Sequence, residues 1–361
     1  MYQPEIQYPI ERSPLFGLQS RKRMCALLGC TTAELAVIRR HKRKLYNHFE
    51  TADKYGSQHP ALVHKPRKIQ SPDPDLAKIQ ARLMDLLKRI ELPDYLHSAR
   101  KNRSYKTNAQ CHKYGHGVAK LDVRKFYEST RDSYVYQFFF GKLKCSPDVA
   151  HRLTEIACLG RRLPTGSPLS PLMSFLAYGD MFNELANLAK AMELSITVYV
   201  DDIVVSGATK ASKFIAPAKK IIARHGLSAH KFSVRPAGAP IIVTGVCNTE
   251  KGATIPPARY RKIRALKEEL GKAKSNERRV VYLKALIGQY REASSFISNA
   301  KSHAMAYQRL LEATSQGVKH KARNKGRRRS GRIKAMLANQ VDAPPSTSSQ
   351  AKSSSALGNK G

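Results

Sequence analysis

The sequence predicts an α+β fold, an antiparallel sheet backed by helices, on three observations. Leu76, Ile79, Leu83, Leu86, Leu87 and Ile90 recur at i, i+3, i+4 intervals across residues 76–92, the pattern of an amphipathic helix. β-branched runs at 195–198 and 203–206 flank Tyr199-Val200-Asp201-Asp202, so two strands meet at a tight turn. Lys/Arg-rich helical segments then follow at 258–273 and 277–311.

The elements follow in chain order. Residues 18–50 read as helical, with a capped start at Thr32-Ala33-Glu34-Leu35 and apolar pairs at Val37-Ile38 and Leu45-Tyr46. Residues 60–70 form a basic strand-like stretch, interrupted by Pro72 and Pro74. After the 76–92 helix, residues 118–122 read as a strand and lead into a Tyr/Phe-rich helix start. Residues 147–160 are helical, 160–171 form a Gly/Pro/Ser loop, and 172–194 read as one long helix. A helix over 210–225 and two short strands within 232–248, around Pro236-Ala237-Gly238, complete the sheet region. Residues 344–361 are Pro/Ser/Ala-rich and predict disorder, because nothing there builds a core.

The net charge of +37 and the pI of about 10.2 imply a polyanionic partner. Residues 315–361 hold eleven Lys/Arg and one acid, Asp342, which leaves +27 on the folded body. A nucleic acid fits better than a membrane surface, since no apolar stretch is long enough to span a bilayer. The first nine residues are polar, carry Glu5 and lack a leader pattern, so a cytoplasmic protein is expected. Cys25, Cys30, Cys111, Cys145, Cys158 and Cys247 are scattered without zinc spacing and suit a reducing compartment.

On its own, Asp201-Asp202 reads as a solvated acidic turn. Asp122, at the end of an apolar strand, changes that reading. If the 118–122 and 195–205 strands are sheet neighbours, Asp122 converges with Asp201 and supplies carboxylate oxygens suited to magnesium.

These motifs resemble those of the reverse transcriptase family over residues 60–310. Asp122 with the aromatics after it, Leu163-Pro164-Thr165-Gly166-Ser167-Pro168-Leu169-Ser170-Pro171 and Tyr199-Val200-Asp201-Asp202 stand in that family's order and spacing. Lys65-Pro66-Arg67-Lys68-Ile69 resembles its fingers strand. Asn108-Ala109-Gln110-Cys111-His112 and Val243-Thr244-Gly245 resemble elements of bacterial retron reverse transcriptases.

The resemblance implies a right-hand polymerase fold. Its parts would be an N-terminal helical region (1–59), fingers (60–117), an antiparallel palm sheet (118–250), a helical thumb (251–314) and a basic disordered tail (315–361). It implies RNA-templated DNA synthesis with two Mg²⁺ ions held by Asp122, the Val123 backbone, Asp201 and Asp202, all three acids being catalytic. Arg67, Lys68, Tyr127, Thr165, Gly166 and Lys231 would meet the dNTP, Tyr127 as a steric gate against the ribose 2′-OH. Gly166 would allow close backbone approach to the nucleotide, and Thr165 stands where many relatives carry Gln. Asn108, His112, Val243, Thr244 and Gly245 would contact RNA, or, for Asn108 and His112, order the local loop. Partners implied are a structured noncoding RNA acting as template and primer, an RNA–DNA duplex and an effector protein, with antiphage defence as the role. Other bacterial reverse transcriptases, of group II intron or defence type, a catalytically silent RNA-binding protein and a basic membrane-surface protein are the competing readings.

Overall fold

The computed structural model describes residues 7–208 and 210–315. The predicted disordered tail lies outside the described residues, except for Ser315.

Two short helices, α1 (Arg21–Leu28) and α2 (Thr32–His41), open the chain. The start of α2 is a capping box, in which Glu34 N–H donates to Thr31 Oγ1 (3.1 Å) and Thr31 N–H donates to Glu34 Oε2 (2.6 Å). The helical pattern expected as far as residue 50 stops earlier. β1 (Tyr46–Glu50) pairs antiparallel with β2 (Lys68–Pro72), from Tyr46↔Pro72 to Glu50↔Lys68. Pairing with a distant strand overrides the local pattern here. Pro72 closes β2, where no further ladder donor is needed. Asp73 then caps α3 (Pro74–Leu87), accepting from Leu76 N–H at 2.9 Å. Pro74 sits at the first helical turn, which tolerates it.

α4 (Tyr105–Gln110) precedes β3 (Gly117–Val123), α5 (Phe126–Ser129), α6 (Asp132–Gln137) and α7 (Pro147–Ala157). The helix expected over 172–194 is two, α8 (Ser170–Ala177) and α9 (Gly179–Ala191). The break falls at Tyr178, whose buried ring stacks on Tyr134 at 4.5 Å and faces Phe126 at 5.9 Å. β4 (Ser195–Tyr199) and β5 (Asp202–Gly207) form the hairpin, followed by α10 (Ile215–Arg224) and β6 (Ala229–Arg235). The central sheet has the order β4-β5-β3-β6, all antiparallel.

The residues expected to give two strands after 232 give more. β6 completes the central sheet, while β7 (Ile241–Val243), β8 (Val246–Thr249) and β9 (Gly252–Thr254) form a separate three-stranded sheet. The described residues end in α11 (Pro257–Lys272), α12 (Asn276–Ala293) and a helical stretch over 300–315. The long helix expected over 277–311 therefore breaks at 294–299.

Strand alternation gives the central sheet two different faces. Ala119, Leu121 and Val123 of β3, with Ile203 and Val205 of β5, point into the main core shared with α3 and α7–α10. Val118 and Val204 point the other way, into a small core with Ala109, Ile241, Val243 and Val246. Asp122 and Asp202 share that second face, at its open end. α11 and α12 build a third core around Leu266, Leu283 and Leu286. The fold is α+β with antiparallel sheets, as the sequence predicts.

Candidate active site

Cross-strand register brings the acids together. Asp122 on β3 lies directly opposite Asp202 on β5, and Tyr199 opposite Asp202, so Val200 and Asp201 are the two residues of the turn. Val200 has φ +60°, the left-handed region that a β-branched residue avoids. The segment before α4 pins this turn. Val200 N–H donates to Ser98 Oγ (3.0 Å), Val198 N–H to Tyr95 carbonyl (2.8 Å) and His97 N–H to Val198 carbonyl (2.9 Å). Val123 N–H donates to the Asp201 carbonyl (3.0 Å), which ties the turn to the end of β3. Strain held by several contacts at once belongs to sites that need a fixed geometry.

Asp201 and Asp202, both half-buried, line a cleft of about 560 Å³, and Asp122 stands beside Asp202 across the sheet. Burial, together with the negative Asp122 and Asp202, pushes Asp201 up to about 6. Burial also raises Asp202, with Asp122 adding to the effect and Lys120 and Lys231 opposing it. Such a cluster of acids suits a divalent cation. No three His, Cys, Asp or Glu side chains among the described residues form a complete metal cage. Magnesium typically takes one or two carboxylates and leaves its other positions to water and substrate phosphate.

Arg67 and Tyr127 line the same cleft. Tyr127 follows the buried Phe126 on α5, and the two rings stack at 6.4 Å. Burial beside Asp201 and Tyr199 raises the Tyr127 hydroxyl above its ordinary value. Lys231 stands opposite Asp122 across β3 and β6. Lys68 faces elsewhere, onto a larger groove of about 680 Å³ bounded by β1, β2 and residues 159–163. That groove lacks the aspartates, and Asp201 and Asp202 line the smaller cleft instead.

The loop before α8 is placed differently from expectation. Thr165 Oγ1 accepts from Gln70 N–H (3.1 Å) and donates to the Lys68 carbonyl (3.0 Å), so its hydroxyl is spent on β2. Gly166 N–H donates to the Gln70 carbonyl (3.1 Å), and a Cβ on Gly166 would stand 2.8 Å from that oxygen. The close approach that requires glycine here is to β2. Ser167 Oγ donates to Gln80 Oε1 (2.6 Å), and the Gln80 amide donates to Tyr46 Oη and the Ile156 carbonyl, both at 2.8 Å. This satisfied buried network fixes loop and hairpin as one wall.

Asn108, His112 and Val243 are fully buried, which corrects the expectation that they touch RNA. Asn108 Nδ2 donates to Thr244 Oγ1 (3.2 Å), and Thr244 Oγ1 donates to the Tyr105 carbonyl (2.8 Å). The two short elements at 108–112 and 243–245 are thus one structural unit. Of the second, Thr244 and Gly245 reach the cleft, at φ +43° and +85°. His112 spans Ser206 Oγ through Nδ1 and Thr197 Oγ1 through Nε2, both at 2.7 Å.

Burial, with His97 and Lys120 adding positive charge, lowers His112 to about 3. The unfolded chain protonates this imidazole below about 6.5 while the folded one does not, so its contribution is complete above that pH and is lost as pH falls toward 3. At pH 5 the loss is about 2 kcal/mol. Unfolding by urea at pH 8 and pH 5 checks this. His112→Gln should be less stable at pH 8 yet lose less than the wild type on acidification, and equal losses in the two proteins would refute the assignment.

Sequence reasoning missed three groups beside the aspartates or in the cleft. His230 Nδ1 lies 3.0 Å from Asp122 Oδ1. Lys120, on the Asp122 face, donates to the Ile242 carbonyl at 2.9 Å, and Tyr105 lines the cleft. Alternation along β3 could have found Lys120, since it lies two residues from Asp122. His230 needed the β3–β6 register, which no local signal carries.

Residues 54–237 match the family model described as reverse transcriptase (RNA-dependent DNA polymerase). The chain belongs to the reverse transcriptase family. It is similar to the Retron Se72 reverse transcriptase of Salmonella heidelberg (strain 579083-10), 34% identical over 143 residues, 39% of this chain and 38% of that relative. It is also similar to the Retron Ec86 reverse transcriptase of Escherichia coli, 25% identical over 219 residues, 58% of this chain and 67% of that relative. No helix among the described residues is long and apolar enough to cross a membrane.

Proposed function

We propose that this chain is an RNA-directed DNA polymerase that copies a structured noncoding RNA into RNA-linked single-stranded DNA, the msDNA of a retron, in antiphage defence with an effector protein in the cytoplasm. The observation that carries the reading is the Asp122–Asp202 register pair with Asp201 at the pinned turn, facing a cleft that also holds Arg67 and Tyr127. Similarity to two retron reverse transcriptases supports the retron assignment.

On this reading β1 and β2 are the fingers, the central sheet is the palm, and α11 and α12 are the thumb, with the domain limits read from the sequence. Asp122, Asp201, Asp202 and the Val123 carbonyl would hold two magnesium ions, which when bound would supply activation of the attacking hydroxyl and stabilisation of the leaving pyrophosphate. Arg67 neutralises triphosphate charge, and Lys231 lies near the leaving group. His230 orients the Asp122 carboxylate. Tyr127 packs under the sugar. Thr244 and Gly245 meet the nucleic acid at the cleft wall. The basic α11 and α12 grip an RNA–DNA duplex through phosphates, so affinity falls steeply with salt.

The protein, supplied with an RNA template-primer, dNTPs and Mg²⁺, is expected to extend DNA, and failure under all three conditions together would sink the reading. Tyr127→Ala should raise ribonucleotide incorporation relative to dNTP by about tenfold or more, since discrimination rests on one steric contact. Unchanged discrimination in a paired rNTP/dNTP assay would remove the gate role.

A further inference from the structure

The β1–β2 hairpin has an unusual connection. Its paired residues end at Glu50↔Lys68, leaving residues 51–67 as the tip, where a hairpin usually has about two to five. This tip does not hang free. Leu62, 2% exposed, belongs to the hydrophobic core of α11 and α12 with Leu266, Leu283 and Leu286. Ser57 Oγ donates to Glu269 Oε2 at 3.1 Å, and Tyr282 Oη donates to the Tyr55 carbonyl at 3.3 Å. Lys262 Nζ stands 5.3 Å from the Tyr55 ring centre, and His59 Nε2 lies 3.6 Å from Glu268 Oε2.

The other end of the tip holds Arg67. Thr51 N–H donates to the Arg67 carbonyl and Arg67 N–H donates to Thr51 Oγ1, both at 2.9 Å. Thr51 Oγ1 also meets His64 Nε2 at 2.6 Å. One loop therefore joins the cleft-lining arginine to the core of a helical unit some 200 residues away in sequence.

We propose that the seat of Leu62 and Ser57 in the C-terminal helices positions Arg67 for the nucleotide triphosphate, so that nucleotide affinity depends on the helical unit as well as on the hairpin. This rests on the polymerase reading for the identity of the ligand. Leu62 and Ser57 are positioning residues, because neither reaches the cleft. Thr51 fixes the Arg67 backbone at the base of the loop, and His64, two residues from Leu62, holds the same Thr51 hydroxyl, so docking the tip limits how far that base can shift before the nucleotide arrives.

The test is a double-mutant cycle on the full chain bound to an RNA–DNA template-primer, read by equilibrium binding of Mg·dGTP and by steady-state kinetics. Leu62→Ala should weaken dGTP binding and raise its KM about tenfold, with kcat and duplex affinity within about twofold. In an Arg67→Ala background the same change should add nothing. Leu62→Met should restore binding, and Ser57→Ala and Glu269→Gln, which leave the core intact, should each weaken dGTP binding about threefold. Additive effects of Leu62 and Arg67, or weakened duplex binding with unchanged dGTP affinity, would overturn the proposal. Binding coupled through Leu62 without DNA synthesis would leave it standing while the polymerase reading fell, and synthesis with additive effects would do the reverse.

Discussion

Asp201→Asn is expected to lower DNA synthesis by about a thousandfold or more, equivalent to about 4 kcal/mol of transition-state stabilisation. Duplex binding should persist, because the Lys/Arg of the C-terminal helices are untouched. A second consequence separates this assignment from simple misfolding. The Asp201 carboxyl is raised to about 6 by burial and by its acidic neighbours, above its ordinary 3.8. The folded protein thus holds that proton more tightly than the unfolded chain. The stabilising contribution is complete below 3.8 and is lost as pH rises through about 6. At pH 8, without divalent metal, the ionised Asp201 works against the fold. The Asn variant should then melt at the same temperature as the wild type or higher, and the difference should vanish near pH 3.5. Added Mg²⁺ should raise the wild-type melting temperature more than the variant's. Synthesis surviving in the variant, or a lower metal-free melting temperature at pH 8, would count against the site.

Gly166→Ala is the second large effect. The new methyl carbon would stand 2.8 Å from the Gln70 carbonyl oxygen and 2.9 Å from Ile69 Cγ2. The Gln70 backbone is held by β1 across the hairpin and by Thr165, so it cannot yield without moving β2. The overpacking should cost about 1–3 kcal/mol, a fall in Tm of roughly 3–10 °C. Because Arg67 immediately precedes β2, synthesis should fall about tenfold beyond what lost stability explains. Gly179→Ala is the control. Nothing lies within 4 Å of its would-be Cβ, so that change should be neutral or slightly stabilising. Equal behaviour of the two variants in melting and in primer extension would refute the account of the loop.

Much of the candidate site was legible because carboxylates in apolar strands are conspicuous. Asp122, Asp201 and Asp202 break hydrophobic runs, and nothing in a core explains them. Arg67 and Tyr127 could be named only through the spacing of motifs around them. Asn108 and His112 show the limit of that procedure. A motif marks that residues are needed, without saying whether they face a ligand or the interior. Their burial at 0% exposure follows from α4 packing against β8, where Asn248 Nδ2 donates to the Ala109 and His112 carbonyls at 2.8 and 2.7 Å. Thr165 and Gly166 were read as nucleotide contacts for the same reason, and the neighbouring strand takes them instead.

The sequence by itself determined the α+β class, most helices, the acidic hairpin and the basic charge, because each rests on periodicity or composition within a short window. Only the tertiary structure decided that β1 is a strand, that the helix expected over 277–311 breaks at 294–299, that His230 meets Asp122 and that Leu62 belongs to a core built by residues 255–304. Those features depend on pairing between segments far apart in the chain. Local propensities differ by less than about 1 kcal/mol per residue, which is smaller than the gain from a paired strand or a buried leucine.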